Sequence, residues 1–376
     1  MTESSPSMSA DPIRVMVVDD SAVVRGLLTR ILESTSDISV VSSVTNGQVA
    51  LNTLERNKNI DVIILDIEMP VMDGLTALPK LVKIDPDIKI IMASTLTKRN
   101  AEISIRALQA GATDYIPKPS SPREISGGGD FRRSILEKVQ AIGATRRKRS
   151  GRLPPSRVLP KNVPLPKPAQ KDAIVLRQPS REKPDILAIG SSTGGPQALF
   201  NFLKGVKRSS LSIPVVITQH MPATFTAILA EHITRMTDWP CREAKDGDPL
   251  VAGEILLAPG DFHMVVESKG AGKVVRLNQG PPENFCRPAV DPLFRSVSKA
   301  FGGRVLAVVL TGMGSDGQKG AAVIVENGGT VISQDEKSSV VWGMPAAVAN
   351  AGLCSVVLPL DGLSSYVMRI AGRVAK

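Results

Sequence analysis

The sequence predicts an α/β protein: two doubly wound parallel-sheet domains joined by a flexible linker. Three observations carry this. Strand-sized apolar runs alternate with amphipathic helical stretches over residues 12–135; a second such series occupies 185–376; and between them, within 136–184, lies a basic proline-rich segment with neither periodicity. At 376 residues and 42% hydrophobic content, the chain can bury a separate core in each domain.

The first series reads RVMVVDD (14–20), ISVVSSV (38–44), DVIILD (61–66), IKIIMAST (88–95) and DYIPKP (114–119). Helices fill the gaps, as in SAVVRGLLTRILES, where Val24, Leu27, Leu28 and Ile31 recur at helical spacing. In such sheets functional groups gather at the carboxyl ends of the strands. Asp19 and Asp20 end the first run, Asp66 the third, Ser94 and Thr95 the fourth, and Lys118 follows the fifth. Carboxylates collected at one edge repel one another unless a hard divalent cation such as Mg²⁺ offsets their charge. Beside that cation and a lysine, Asp66 can act as nucleophile toward a phosphoryl group, and a hydroxyl at Ser94 can report the new oxygens by moving.

These residues match a known pattern. DD (19, 20), LDIEMPVMDG (65–74), MAST (92–95) and YIPKP (115–119) together resemble the flavodoxin-like receiver domain of two-component response regulators over residues 12–135. The resemblance implies an aspartyl phosphate at Asp66. It also implies Mg²⁺ held by Asp20, Asp66 and the backbone carbonyl of Glu68 with Asp19 close by, and signalling through Ser94, Tyr115 and Lys118. Ser94 and Thr95 both offer a hydroxyl at the switch position, with Ser94 the first choice.

The net charge of +10 is local. Residues 144–184 hold twelve Lys and Arg against two acids, so the rest of the chain is neutral. Eight prolines in the same stretch favour a semi-extended, solvated linker, and RRKRS (146–150) reads as part of it rather than as a nucleic-acid contact. Residues 1–11 are polar, read as a disordered tail, and do not form a secretory signal. No apolar run approaches the ~20 residues of a membrane span. Cys241, Cys286 and Cys354 show no metal-site spacing and read as reduced thiols, so a cytoplasmic location without membrane insertion is expected.

The second series comprises runs at 185–190, 213–220, 254–260, 263–268, 273–277, 304–313, 329–334 and 354–360, with 254–280 read as a hairpin inserted in a parallel sheet. Its first run leads into GSSTGG (190–195). Ser192 stands where a dinucleotide loop needs its second glycine, and Pro196 follows where a Walker loop needs lysine, so both phosphate readings fail. Residues 190–194 do satisfy G-x-S-x-G between a strand and a helix, which presents Ser192 as a nucleophile near a helix N-terminus. A tight turn without chemistry is the competing reading.

A serine nucleophile needs a base. His232 lies inside a helical pattern and His263 begins a hairpin strand, whereas His220 ends a strand at the same edge as Ser192. Asp316, in the loop of LTGMGSDG, is the preferred orienting acid, with Asp246, Asp248 and Asp261 as alternatives. The inferred triad is Ser192, His220, Asp316.

IGSSTGGPQAL, VVITQHMPATFT, LLAPGDFHM, GPPENFCRPAVDPLF, LTGMGSDGQKG and VVWGMPAAV resemble, in that order, the effector domain of the bacterial chemotaxis protein-glutamate methylesterase and glutaminase family. The resemblance implies a Rossmann-like three-layer hydrolytic domain over 185–376, with the same triad and with Thr193 and the backbone near Met313 supporting an oxyanion. Cys286 is not expected to be catalytic. Further implied are a chemotaxis histidine kinase as phosphodonor, methyl-accepting chemoreceptors as substrate, no cofactor for the ester chemistry, and an unphosphorylated receiver that covers the hydrolytic edge. The rival reading is a phosphorylation-controlled, non-catalytic regulator or adaptor that binds receptors, or DNA through RRKRS.

Overall fold

A computed structural model of the chain describes residues 11–95, 97–118, 129–151, 174–270 and 272–372, which fall into two compact α/β units. Residues 1–10 of the expected tail and 152–173 of the expected linker lie outside the described residues.

The first unit is a parallel sheet of order β2-β1-β3-β4-β5. Its strands are β1 (Ile13–Val18), β2 (Ile38–Val44), β3 (Val62–Asp66), β4 (Lys89–Ser94) and β5 (Asp114–Pro117). β3 is buried throughout and β1 and β4 nearly so, because an all-parallel sheet is covered on both faces and needs continuous apolar runs. Interleaved in the chain are α1 (Ala22–Leu32), α2 (Gly47–Arg56), α3 (Gly74–Ile84) and α4 (Lys98–Gln109). Side chains of Ser21, Asn46 and Asp73 accept from backbone N–H groups in the first turns of α1, α2 and α3, which fixes where each helix starts. Gly74 is required at its place: a Cβ there would lie 2.0 Å from the carbonyl oxygen of Asp66, so the loop after β3 folds back onto the start of α3.

α5 (Gly129–Arg149) corrects the expected linker boundary at 136 and the solvated reading of RRKRS. Arg146 and Arg147 are buried. The Arg147 guanidinium donates from Nε and Nη2 to Asp61 Oδ2 at 2.9 Å each and also to the carbonyls of Asp11 and Pro12, while Arg146 pairs with Asp85 at 2.7 Å. The charges that composition assigns to a linker are thus partly spent on aspartates distant in sequence. Their burial also removes these two arginines from any nucleic-acid face.

The second unit is a parallel sheet of order β14-β13-β12-β6-β7-β9-β8. It comprises β6 (Ile186–Ser191), β7 (Val215–Gln219), β8 (Cys241–Glu243), β9 (Ile255–Leu257), β12 (Val305–Val309), β13 (Thr330–Gln334) and β14 (Val356–Leu358). β10 (His263–Lys269) and β11 (Gly272–Asn278) form a separate antiparallel pair. The expected hairpin over 254–280 is therefore narrower: the short apolar run Ile255–Leu257 pairs in parallel with both β7 and β8, and only 263–278 turns back on itself. The helices are α6 (Gly195–Gly205), α7 (Ala223–Met236), α8 (Val290–Phe301), α9 (Gln318–Glu326), α10 (Met344–Asn350) and α11 (Leu360–Ala371). Val290, Leu293, Phe294 and Val297 of α8 join Ile186, Ala188, Val305, Ala307 and Val309 in one core, and so fix the carboxyl ends of the central strands β6 and β12. Among the described residues no helix is long and apolar enough to cross a membrane.

Candidate active site

In the first unit, parallel register places the ends of β1, β3 and β4 at one edge, where oxygens of Asp19, Asp20 and Asp66 lie within 4.8 Å of one another. Lys118 reaches across from the end of β5, its Nζ 2.6 Å from Asp19 Oδ2 and 2.7 Å from Asp66 Oδ1. Burial raises the Asp66 carboxyl, the Lys118 contacts lower it and Asp19 raises it again, leaving it at about 6. Burial works against the Lys118 ammonium, but its two carboxylate partners outweigh it and hold it above the usual lysine value. An all-oxygen donor set of three carboxylates suits a hard divalent cation. Ser94 is buried at the end of β4 and its carbonyl accepts from Lys118 N at 2.7 Å, whereas Thr95 is exposed. Tyr115 is buried under Lys138, whose Nζ lies 5.0 Å from the ring centre.

In the second unit, β6 ends at Ser191 and the chain turns sharply through Ser192, Thr193 and Gly194 into α6. Gly194 adopts φ +74°, and a Cβ on Gly195 would lie 2.0 Å from Gln219 Oε1. The Gln219 carboxamide occupies that space: its Oε1 accepts from Ser191 Oγ at 2.6 Å, and its Nε2 donates to the carbonyls of Ser192 at 2.9 Å and His220 at 3.2 Å. The elbow and the segment carrying His220 are thereby tied together. On the other side, Ser192 N donates to Thr311 O at 3.0 Å, and the Thr311 hydroxyl donates to Thr193 O at 3.0 Å.

His220 Nε2 lies 2.7 Å from Asp316 Oδ2. The Asp316 carboxylate also accepts from the backbone N–H groups of Val290 (2.6 Å), Gly317 (2.9 Å) and Asp291 (3.1 Å) and from Asn284 Nδ2 (2.9 Å). Burial alone would raise its pKa, but His220 and these donors hold it below the usual carboxylate range. Neighbouring Asp291 moves the opposite way, through burial and the charge of Asp316. His220 Nδ1 faces Cys286 Sγ at 3.3 Å. Burial lowers the imidazole, Cys286 and Asp316 raise it, and the result is about 10.

The structure thus brings His220 and Asp316 into direct contact and joins Ser192 to His220 through Gln219. The Ser192 and His220 side chains are not hydrogen-bonded to each other. Thr193 is 2% exposed and its Oγ1 has no hydrogen-bond partner among the described residues, which leaves a donor in the elbow itself. Met313 follows Gly312, where a Cβ would lie 2.8 Å from that of Ser192. The alternative candidates are engaged elsewhere. His263 bonds to Pro281 O and Ala289 N, Asp246 to Arg276, Asp248 to Arg242 and Asp261 to Arg287; His232 is buried in α7.

Residues 187–367 match the CheB methylesterase family and residues 15–127 the response regulator receiver domain. A protein-glutamate methylesterase/protein-glutamine glutaminase 1 from Paramagnetospirillum magneticum is 58% identical over 99% of this chain and 100% of its own length. The chain belongs to the CheB methylesterase family. Its namesake from Rhodospirillum rubrum is 58% identical over 99% of this chain and 98% of its own. The solved catalytic domain of Thermotoga maritima CheB is 35% identical, with TM-score 0.48, covering 50% of this chain and 99% of that one.

Sequence reasoning missed several supports of this CheB-family site: Gln219, Thr311, Asn284 and the contact of Cys286 with His220. Gln219 had a signal, since it directly precedes His220 and so sits at the same strand end. Asn284 and Cys286 had none, because their placement depends on a turn in which Asn284 and Phe285 take φ +50° and +62°.

Proposed function

We propose that the chain is a phosphorylation-activated serine hydrolase that removes methyl esters from glutamyl side chains of chemoreceptors and deamidates glutamines there. The observation that carries the reading is the His220–Asp316 pair placed beside a G-x-S-x-G elbow and tied to it by Gln219. Ser192 Oγ attacks the ester carbonyl as His220 Nδ1 takes its proton, and Asp316 steadies the imidazolium through Nε2. Thr193 Oγ1 and the backbone at Met313 donate to the oxyanion. His220 then returns the proton to methoxide, methanol leaves, and water resolves the acyl-enzyme through the same base. With a glutamine side chain the leaving group is ammonia.

In the receiver, Asp66 accepts the phosphoryl group from a histidine kinase, and Asp19, Asp20, Asp66 and the carbonyl of Glu68 are the groups that would hold Mg²⁺. A divalent cation held there would supply positive charge to offset that of the transferring oxygens. Lys118 orients the new phosphoryl group, and Ser94 and Tyr115 relay its presence, shifting the population toward an active arrangement. The proposed division is receiver followed by hydrolase, with the helix through Arg149 belonging to the receiver side.

The test is methanol release from methylated receptor by phosphorylated wild type and Ser192→Ala. Release by wild type alone is expected. Equal release by both would remove the serine mechanism, and none from either would favour a binding protein.

A further inference from the structure

Cys286 is not part of the ester chemistry above, yet it is built into the hydrolytic centre. Glu283 and Cys286 exchange backbone hydrogen bonds at 3.1 and 2.9 Å across a tight turn. Arg295 clamps Glu283, and Asn284 bonds both Asp316 and Asp291. The turn is therefore anchored on the carboxylate that orients His220, and it delivers Sγ to within 3.3 Å of Nδ1. With Nε2 committed to Asp316, Nδ1 is the nitrogen that must receive the serine proton. Cys286 and Ser192 compete for it.

We propose that Cys286 is an electrophile- and peroxide-sensitive modification site whose oxidation or alkylation switches off the hydrolytic centre. The Cys286 sulfur, 3.3 Å from Nδ1, attacks hydrogen peroxide as its thiolate. An S–O bond forms, the O–O bond breaks, and the departing hydroxide takes the imidazolium proton to leave as water. The sulfur is oxidised to a sulfenic acid and the peroxide is reduced. The added oxygen then stands between Cys286 and Nδ1 and blocks the nitrogen that Ser192 requires. Two equivalents of a low-molecular-weight thiol reverse the change: the first forms a mixed disulfide and releases water, and the second attacks that disulfide, frees Cys286 and leaves joined to the first as the small-molecule disulfide. Cys241 and Cys354 are buried, and burial pushes both thiols up, Cys354 to about 11, so neither rivals Cys286 in reactivity.

The loss-of-activity part rests on the methylesterase reading; the labelling part does not. The full chain, reduced and then treated with iodoacetamide at pH 7, is followed by mass spectrometry of cysteine peptides. Cys286 should be carbamidomethylated at least tenfold faster than Cys241 or Cys354, and His220→Gln should slow that labelling severalfold. Methanol release should fall in step with modification by iodoacetamide or hydrogen peroxide, and dithiothreitol should restore it after peroxide only. Cys286→Ser, measured against its own untreated rate, should resist both reagents. Slow labelling of Cys286, or full wild-type activity with Cys286 stoichiometrically modified, would overturn the proposal. So would equal sensitivity of Cys286→Ser. If untreated phosphorylated protein releases no methanol while Cys286 still labels fast, the methylesterase reading has failed and the reactivity of the thiol stands.

Discussion

Gln219 Nε2 donates to the Ser192 carbonyl at 2.9 Å, and the residue that follows it, His220, carries the imidazole proposed as the base for Ser192. One carboxamide therefore ties the proposed nucleophile to the proposed base. Gln219→Ala should lower kcat for ester hydrolysis by roughly tenfold to a hundredfold with a smaller change in KM, since misplacing reacting groups by about 1 Å costs on that order. Gln219→Glu, which keeps the acceptor and loses the donor, should fall between.

Ser192→Ala should lower methylesterase activity by at least about a thousandfold, leaving only what oxyanion donors supply. Asp316→Asn should cost roughly as much, because the amide no longer favours the tautomer that leaves Nδ1 able to accept. Steady-state methanol release measures both, and residual activity within tenfold of wild type would contradict the assigned roles.

The imidazole of His220, pushed up to about 10 by Cys286 and Asp316 against the effect of burial, gives a pH dependence of definite sign. A protonated base cannot accept from Ser192, so kcat should climb as pH rises from 7 toward 10, and Cys286→Ala should move that climb to lower pH. The same raised value means the folded hydrolase binds a proton that its unfolded chain has lost. Its stabilising contribution is complete below about pH 6.5 and disappears as pH rises toward 10. Thermal melts across that window should show a decline that His220→Gln flattens.

Asp66→Asn should abolish phosphoryl uptake from a small-molecule phosphodonor and with it any stimulation of ester hydrolysis. Chelating divalent cations should prevent uptake in the wild type without touching the unstimulated rate. Radiolabelled phosphoryl incorporation reads the first effect and methanol release the second.

Arg147→Ala should destabilise the first unit by on the order of 3 kcal/mol, because it strips a guanidinium from the buried Asp61 carboxylate. Urea unfolding followed by a probe confined to that unit measures the loss.

Much of this was legible in the sequence because period and strand ends are local. DVIILD and IPVVITQH announced buried parallel strands, and a parallel sheet brings their carboxyl ends together, so Asp66 and His220 could be placed by number. What stayed hidden depended on partners remote in sequence. The three-residue strand β8 is too short to show a period, and the parallel pairing of β9 with β7 and β8 is not visible in its run. RRKRS looked solvated because nothing within 60 residues reveals that Asp61 and Asp85 receive two of its arginines. Cys286 looked idle because its meaning lies in left-handed backbone at the two residues before it.

The Arg147–Asp61 bond also bears on how phosphorylation could be felt. Asp61 directly precedes β3, and Asp66 ends it, so a single buried strand of about 16 Å has the proposed phosphoacceptor at one end and α5 fastened to the other. A five-residue strand hydrogen-bonded on both sides is stiff along its axis. Were phosphorylation at Asp66 to shift β3 along its axis, the shift would reach α5 through the Arg147–Asp61 bond without passing through the loops.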